Sequence, residues 1–258
     1  MKRITTLLVV AVALVAAAFA SAKPAGAFEE FNLWPGLAPG ETPDAVKPTY
    51  EYWAPETKTT DACLVVCPGG AYNGLAYAHE GDKIAKYFTS KGVTVVVLKY
   101  RVPRRKGLPK HMAAWQDAQR CVRVVRSRAD EWGINPEKIG IMGFSAGGHL
   151  TLMVSTTSQT NSYEPIDDID KLPCHVNFAV PVYPAYVLED GVNGENTNRG
   201  MDSPMASVAV YEKLRKMNIP AEMHIYAKIP HGFGGNPTDN HVGDWLNRVY
   251  AWMKVVGF

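Results

Sequence analysis

Gly143-Phe144-Ser145-Ala146-Gly147-Gly148 decides how the rest of this chain is read. Before it, Lys138-Ile139-Gly140-Ile141-Met142 is a short, largely apolar run with strand character. After it, His149-Leu150-Thr151-Leu152-Met153-Val154 continues as a helix. A serine with a glycine two residues to either side, at a strand-to-helix turn, is the pattern of a nucleophile elbow. The turn is so sharp that side chains at the flanking positions would collide with neighbouring backbone. Glycine removes the collision and leaves the serine hydroxyl clear of the chain. The helix starting there aims its N–H groups and the positive end of its dipole at developing negative charge. Taken alone, the pattern also suits an ordinary glycine-rich turn.

Two other segments give it context. Pro68-Gly69-Gly70-Ala71-Tyr72 follows the run Ala62-Cys63-Leu64-Val65-Val66, well upstream of Ser145. An oxyanion loop of the His-Gly-Gly-Gly type belongs there, with Pro68 in the place of the histidine. Its free N–H groups, from Gly70 or Ala71, would act with that of Ala146 on a tetrahedral oxyanion. Tyr72 comes directly after the loop and is expected to touch substrate. Downstream, Pro230-His231-Gly232-Phe233-Gly234 follows Ala221-Glu222-Met223-His224-Ile225-Tyr226, which has a strand pattern. The order, serine first and histidine last, is that of a serine hydrolase on an α/β scaffold.

Strands and helices alternate along the chain. Strands are expected at 62–66, 93–99, 139–142, 175–183 and 221–227. Helices are expected at 80–90, 111–132, 146–155, 204–217 and 240–256, with Ser203 as N-cap and Pro204 opening the fourth. Residues 28–61 read as irregular, with one or two short strands. Such alternation implies an α/β fold: a mostly parallel sheet with helices on both faces. Ligands bind beyond the carboxyl ends of the strands in such sheets. Ala71, Ser145 and His231 all lie just past strand ends and so converge on one edge.

Composition narrows the function further. Residues 1–22 read as a signal peptide: Lys2 and Arg3 lead an apolar stretch, Leu7 to Ala20, with Ala20-Ser21-Ala22 as a cleavage site. Residues 23–258 then form a single domain, expected to be exported to the periplasm or secreted, and to be soluble. Without Lys2 and Arg3 the basic and acidic residues are equal in number. That balance offers no footprint for nucleic acid or an anionic membrane. The cluster Arg101, Arg104, Arg105, Lys106 and Lys110 reads as a solvated loop. Of the four cysteines, Cys63 and Cys67 cannot pair if both lie on one strand. They would be ~13 Å apart, against a disulfide limit of ~7 Å. Cys121 and Trp115 read as core, His149 as structural, and Asp117 with Arg120 as an ion pair along one helix. No spacing suggests a metal site, and the chemistry needs no metal or organic cofactor.

Several blocks carry a resemblance. They are Leu33-Trp34-Pro35-Gly36, Cys67-Pro68-Gly69-Gly70, His79-Glu80-Gly81, Leu98-Lys99-Tyr100-Arg101, Gln116-Asp117-Ala118-Gln119-Arg120, Trp132-Gly133-Ile134-Asn135-Pro136 through His149, and His231-Gly232-Phe233-Gly234. In these the chain resembles the α/β-hydrolase superfamily. It looks most like exported bacterial esterases related to acetyl-xylan esterases, with dienelactone hydrolases and prolyl-oligopeptidase-type peptidases as cousins. The resemblance implies a three-layer sandwich and hydrolysis of ester bonds, typically acetyl groups on plant polysaccharide. The substrate would be a small ester or an acetylated oligosaccharide.

One part of that pattern is missing. The triad acid normally follows a seventh strand, yet in residues 189–203 only Val192 and Met201 are clearly apolar. A crossover between parallel strands takes a dozen residues by itself. The chain is therefore expected to lack one strand–helix unit before the acid. Asp202 is the nearest remaining acid, either as triad partner or as a charge favouring the helix that follows. Asp190 is the runner-up. If strand 221–227 fills the vacated slot, His231 shifts sideways by ~4.8 Å, which would break a nucleophile–base hydrogen bond. Two readings follow: a serine esterase using Ser145, His231 and Asp202 through an acyl-enzyme, or a catalytically impaired relative that serves in binding. A peptidase is weaker, because no gating segment is visible.

Overall fold

A computed structural model describes residues 27–187, 204–236 and 241–258. The signal segment, Ser203, Asp190 and Asp202 lie outside the described residues. Among the described residues six strands form one sheet in the order β1-β2-β4-β3-β5-β6. They are β1 Phe28–Asn32, β2 Thr49–Trp53, β3 Cys63–Cys67, β4 Thr94–Lys99, β5 Ile139–Phe144 and β6 Phe178–Val182. β1 and β2 are antiparallel to their neighbours, whereas β4, β3, β5 and β6 run parallel. The expected short strands in 28–61 are thus the antiparallel edge of a mostly parallel sheet.

The central strands are apolar on both faces because both faces are covered. On β3, Cys63, Val65 and Cys67 pack into one core, Leu64 and Val66 into the other. Helices α2 (Met112–Ser127), α3 (Ala129–Trp132) and α4 (Ala146–Thr156) cover the first face. Helices α1 (Lys83–Ser90) and α6 (Trp245–Val255) cover the second. The expected helix 111–132 is two helices, broken at Arg128, and Gly133 closes the second in the left-handed conformation. A π-helical turn, Ala78–Asp82, precedes α1. The four thiols are free and buried. Burial pushes the Cys63 thiol up to about 12 and raises Cys67 as well.

Two charge assignments from sequence need correcting. Arg101 is 3% exposed and is not part of a solvated loop. Asp117 pairs with Arg101 and not with Arg120: its carboxylate accepts Arg101 Nε at 3.0 Å, the Arg101 backbone N–H at 2.8 Å and Trp34 Nε1 at 2.8 Å. Arg120 reaches instead to Asp167 at 2.6 Å and Asp170 at 2.9 Å. Spacing along α2 could not reveal these partners, because they come from other segments.

The expected strand 221–227 does not form; residues 221–226 are irregular, and Ile225 is exposed. Among the described residues β6 is therefore the sheet edge. One cause lies in β6. Val182 C=O accepts Ser145 N–H from the β5 side. Side alternation along β6 then turns Pro181, with no N–H to give, to the free edge. Helix α5 (Met205–Lys216) has only Ala206 buried.

Asp117→Ala should leave the Arg101 guanidinium buried without its main partner. We expect a loss of about 3–5 kcal/mol, read by urea unfolding; a loss below 1 kcal/mol would contradict the assignment.

Candidate active site

Strand β5 ends at Phe144, and Ser145 turns the chain into α4 with φ +53. For a side chain this is strained backbone, and the glycines around it make room. A Cβ on Gly143 would lie 2.1 Å from Gly147 O, and one on Gly147 would lie 2.0 Å from Cys67 O. The serine backbone is fixed from both sides. Its N–H donates to Val182 O at 3.1 Å, and its C=O accepts from His149 at 3.0 Å and Ala185 at 3.0 Å.

The structure brings His231 to Ser145: Nε2 lies 2.8 Å from Oγ. The feared sideways shift does not occur, because no strand carries the histidine. Two side chains and one backbone carbonyl on the loop's far side hold it. Gly234 N–H donates to the Tyr183 hydroxyl at 2.9 Å, and Gly235 N–H to His79 O at 2.7 Å. Trp245 Nε1 donates to Gly234 O at 3.1 Å. The Tyr183 ring lies 4.9 Å from the imidazole and 4.7 Å from Phe233. The other imidazole nitrogen, Nδ1, is buried and has no partner among the described residues.

The 68–72 loop stands beside the serine, anchored at its start by the Tyr100 hydroxyl, which donates to Pro68 O at 2.6 Å. Gly69 C=O accepts Ala76 N–H, and Gly70 C=O accepts the N–H groups of Asn73 and Gly74. In a trans peptide the N–H points opposite to the preceding C=O. The N–H groups of Gly70 and Ala71 are therefore turned out of the loop, as is needed if they are to meet an oxyanion. Ala146 is the first residue of α4, where N–H groups lack intrahelical acceptors.

Tyr72 sits differently from its expected role. It is fully buried, its hydroxyl 2.9 Å from His149 Nδ1 and its ring 6.0 Å from that of Tyr186. It braces the loop from inside, and His149 is its structural partner. Sequence reading gave no role to Glu80 or Tyr183. The His79-Glu80-Gly81 block was the available signal for the first, and nothing in the apolar run around Tyr183 marked the second. Among the described residues no group of side chains could hold a metal ion, and no helix is long and apolar enough to cross a membrane.

A family model described as BD-FAE matches residues 51–213, more than half of the chain. The chain belongs to the BD-FAE family. Within it, the match runs from β2 through Ser145 and into α5 but stops before His231. An acetylxylan esterase of Xylanibacter ruminicola is 34% identical over 222 residues, covering 75% of this chain and 45% of that protein. Endo-1,4-beta-xylanase B of Butyrivibrio fibrisolvens is 34% identical over 122 residues, 46% of this chain and 19% of that protein. The chain thus spans less than half the length of these curated relatives. Among solved structures, an acetyl ester-xyloside bifunctional hydrolase from Caldicellulosiruptor lactoaceticus superposes with a TM-score of 0.74 at 25% identity, over 91% of this chain and 98% of that one. A propionate-bound esterase from the Planctomycetes species Thermogutta terrifontis has a TM-score of 0.72 at 19% identity, over 90% and 95%. The likeness places this BD-FAE chain in the α/β-hydrolase fold.

Gly147→Ala should push Cβ into the β3 carbonyl. We expect a loss of at least about 1–3 kcal/mol in thermal unfolding, together with lost reactivity of Ser145 toward a fluorophosphonate probe. A variant as stable and as reactive as wild type would contradict the elbow geometry.

Proposed function

We propose that the protein is a serine esterase that removes acetyl or similar short acyl groups from carbohydrate. The observation that carries this is the 2.8 Å contact between His231 Nε2 and Ser145 Oγ at a strained turn. Ser145 attacks the ester carbonyl while His231 takes its proton. The N–H groups of Gly70 or Ala71 and of Ala146 hold the oxyanion. The imidazolium returns the proton to the departing alcohol, and water then releases the acid from Ser145 by the same steps in reverse. Asp202 accepts from His231 Nδ1, fixing the tautomer and stabilising the imidazolium. The buried Nδ1 without a partner supports an acceptor from beyond the described residues. The names of the Xylanibacter and Caldicellulosiruptor proteins support an acetylated sugar as substrate. We propose export as well, with cleavage after Ala22.

A phosphonate inhibitor should label Ser145 stoichiometrically, and Ser145→Ala should abolish hydrolysis of 4-nitrophenyl acetate. Equal rates in wild type and variant would end this reading. Asp202→Asn should lower kcat by up to ~10⁴; the same loss from Asp190→Asn instead would move the acid there. Acetate release from acetylated xylo-oligosaccharides tests the substrate: turnover of the nitrophenyl ester alone would remove the carbohydrate assignment.

A further inference from the structure

Glu80 is a buried acid that the mechanism above leaves unused. It is 2% exposed. Its Oε2 accepts Gly69 N–H at 2.7 Å and its Oε1 accepts the Tyr183 hydroxyl at 2.7 Å. His79 Nε2 stands 3.7 Å from Oε1. The other deeply buried acids differ: Asp117 has Arg101, Glu51 has Lys99 and Asp170 has Arg120. Removing a carboxylate from water without a lysine or arginine partner is unfavourable. Such a group is a poor choice for filling space, so its location matters.

That location is between the two loops of the site. A Cβ built on Gly69 would lie 2.8 Å from Glu80 Oε2 and 2.9 Å from Ser145 Cβ. The carboxylate and the nucleophile therefore flank the same backbone atom. A Cβ on Gly234 would lie 3.1 Å from Glu80 Cγ. The Tyr183 hydroxyl donates to Glu80 and also accepts Gly234 N–H at 2.9 Å.

We propose that Glu80 is a positioning residue that sets the oxyanion loop and the histidine loop at once. This rests on the esterase reading above. One oxygen fixes Gly69 N–H, while Gly69 C=O is held by Ala76. With both ends of Gly69 fixed, the peptide plane that aims Gly70 N–H is held on both sides, and the next plane, which aims Ala71 N–H, starts from that fixed point with its own C=O held by Asn73 and Gly74. The other oxygen fixes Tyr183, which fixes Gly234 and packs against the His231 ring. The carboxylate touches no reacting atom. It couples the group that holds charge to the group that moves the proton.

Glu80→Gln keeps the size but turns one acceptor into a donor facing Gly69 N–H or the Tyr183 hydroxyl. With 4-nitrophenyl acetate, kcat should fall about 10²-fold, the scale of losing one oxyanion-hole donor, with KM changing less than about 3-fold. Hydrogen exchange should rise in segments 69–74 and 231–235 and stay unchanged in β3, β4 and β5. Tyr183→Phe keeps Glu80 and should loosen 231–235 alone. The double variant should lose less than the product of the single losses, because the two residues act through one contact. Wild-type kcat and wild-type exchange in Glu80→Gln would overturn the proposal. So would an exchange increase spread over the whole chain, which marks a carboxylate needed only for folding. A wild type that neither hydrolyses the ester nor takes the phosphonate sinks the esterase reading instead, while the exchange data still decide whether Glu80 holds both loops.

Discussion

The Tyr183 hydroxyl is held at both ends, donating to Glu80 Oε1 and accepting from Gly234 N–H, and the histidine's position depends on it. Burial, and then the adjacent carboxylate, push the phenol well above its ordinary value, so it stays a hydroxyl and can do both at once. Tyr183 has φ +36, a conformation that side chains adopt only under constraint. The strain follows from location. β6 ends at Val182, and the chain must turn sharply for the ring to reach between the loops. In a sheet that continued past β6, backbone hydrogen bonds to another strand could carry the histidine. Here Tyr183 shares that task with a backbone bond from Gly235 N–H to His79 O and with Trp245 Nε1, and its ring packs against the imidazole.

What was legible in the sequence follows from how locally each feature is determined. β3, β4 and β5 announce themselves because an interior parallel strand must be apolar on both faces, and 62–66, 93–99 and 139–142 are. The elbow is legible because its glycines answer a collision within a few residues of Ser145. Segment 221–227 misled because alternation reports a half-buried strand only if a partner exists, and β6 turns Pro181 to that side. Arg101 misled because it sits among basic neighbours, while its ligands come from two other places, Pro39 and Glu41 from one segment and Asp117 from α2. Tyr72 misled for the opposite reason: it lies next to the loop in sequence, but φ +58 turns its side chain into the core. Glu80 stands in His79-Glu80-Gly81, yet a role that consists of joining two distant loops has no local spacing to read.

The nucleophile and the histidine therefore belong to regions of unequal robustness. Ser145 sits between the fully buried β5 and α4, and β3 lies against the elbow through Cys67 O. Its geometry is over-determined by packing, where small displacements are resisted from every side. His231 lies at the sheet margin, beside residues 221–226, which are irregular. Changes at that margin reach the histidine before they reach the serine. The elbow is thus held by packing, while the histidine beside it depends on a few polar contacts.

This division also bears on what remains for the acid in the proposed mechanism. A triad acid normally orients the imidazole, fixes its tautomer and stabilises its charge. Orientation is already supplied: Ser145 Oγ meets Nε2 at 2.8 Å, and Tyr183 and the Gly234 anchor hold the ring plane. Glu80 has both oxygens engaged by Gly69 and Tyr183, so it has none to offer Nδ1. A buried polar atom left unpaired costs about 1–3 kcal/mol, and Nδ1 has no partner among the described residues. The missing acceptor therefore has tautomer and charge as its remaining tasks, and neither requires the rigid strand end from which an acid usually projects. One carboxylate within hydrogen-bond reach of Nδ1 meets that need whatever element carries it, so an acid from beyond the described residues is compatible with the chemistry.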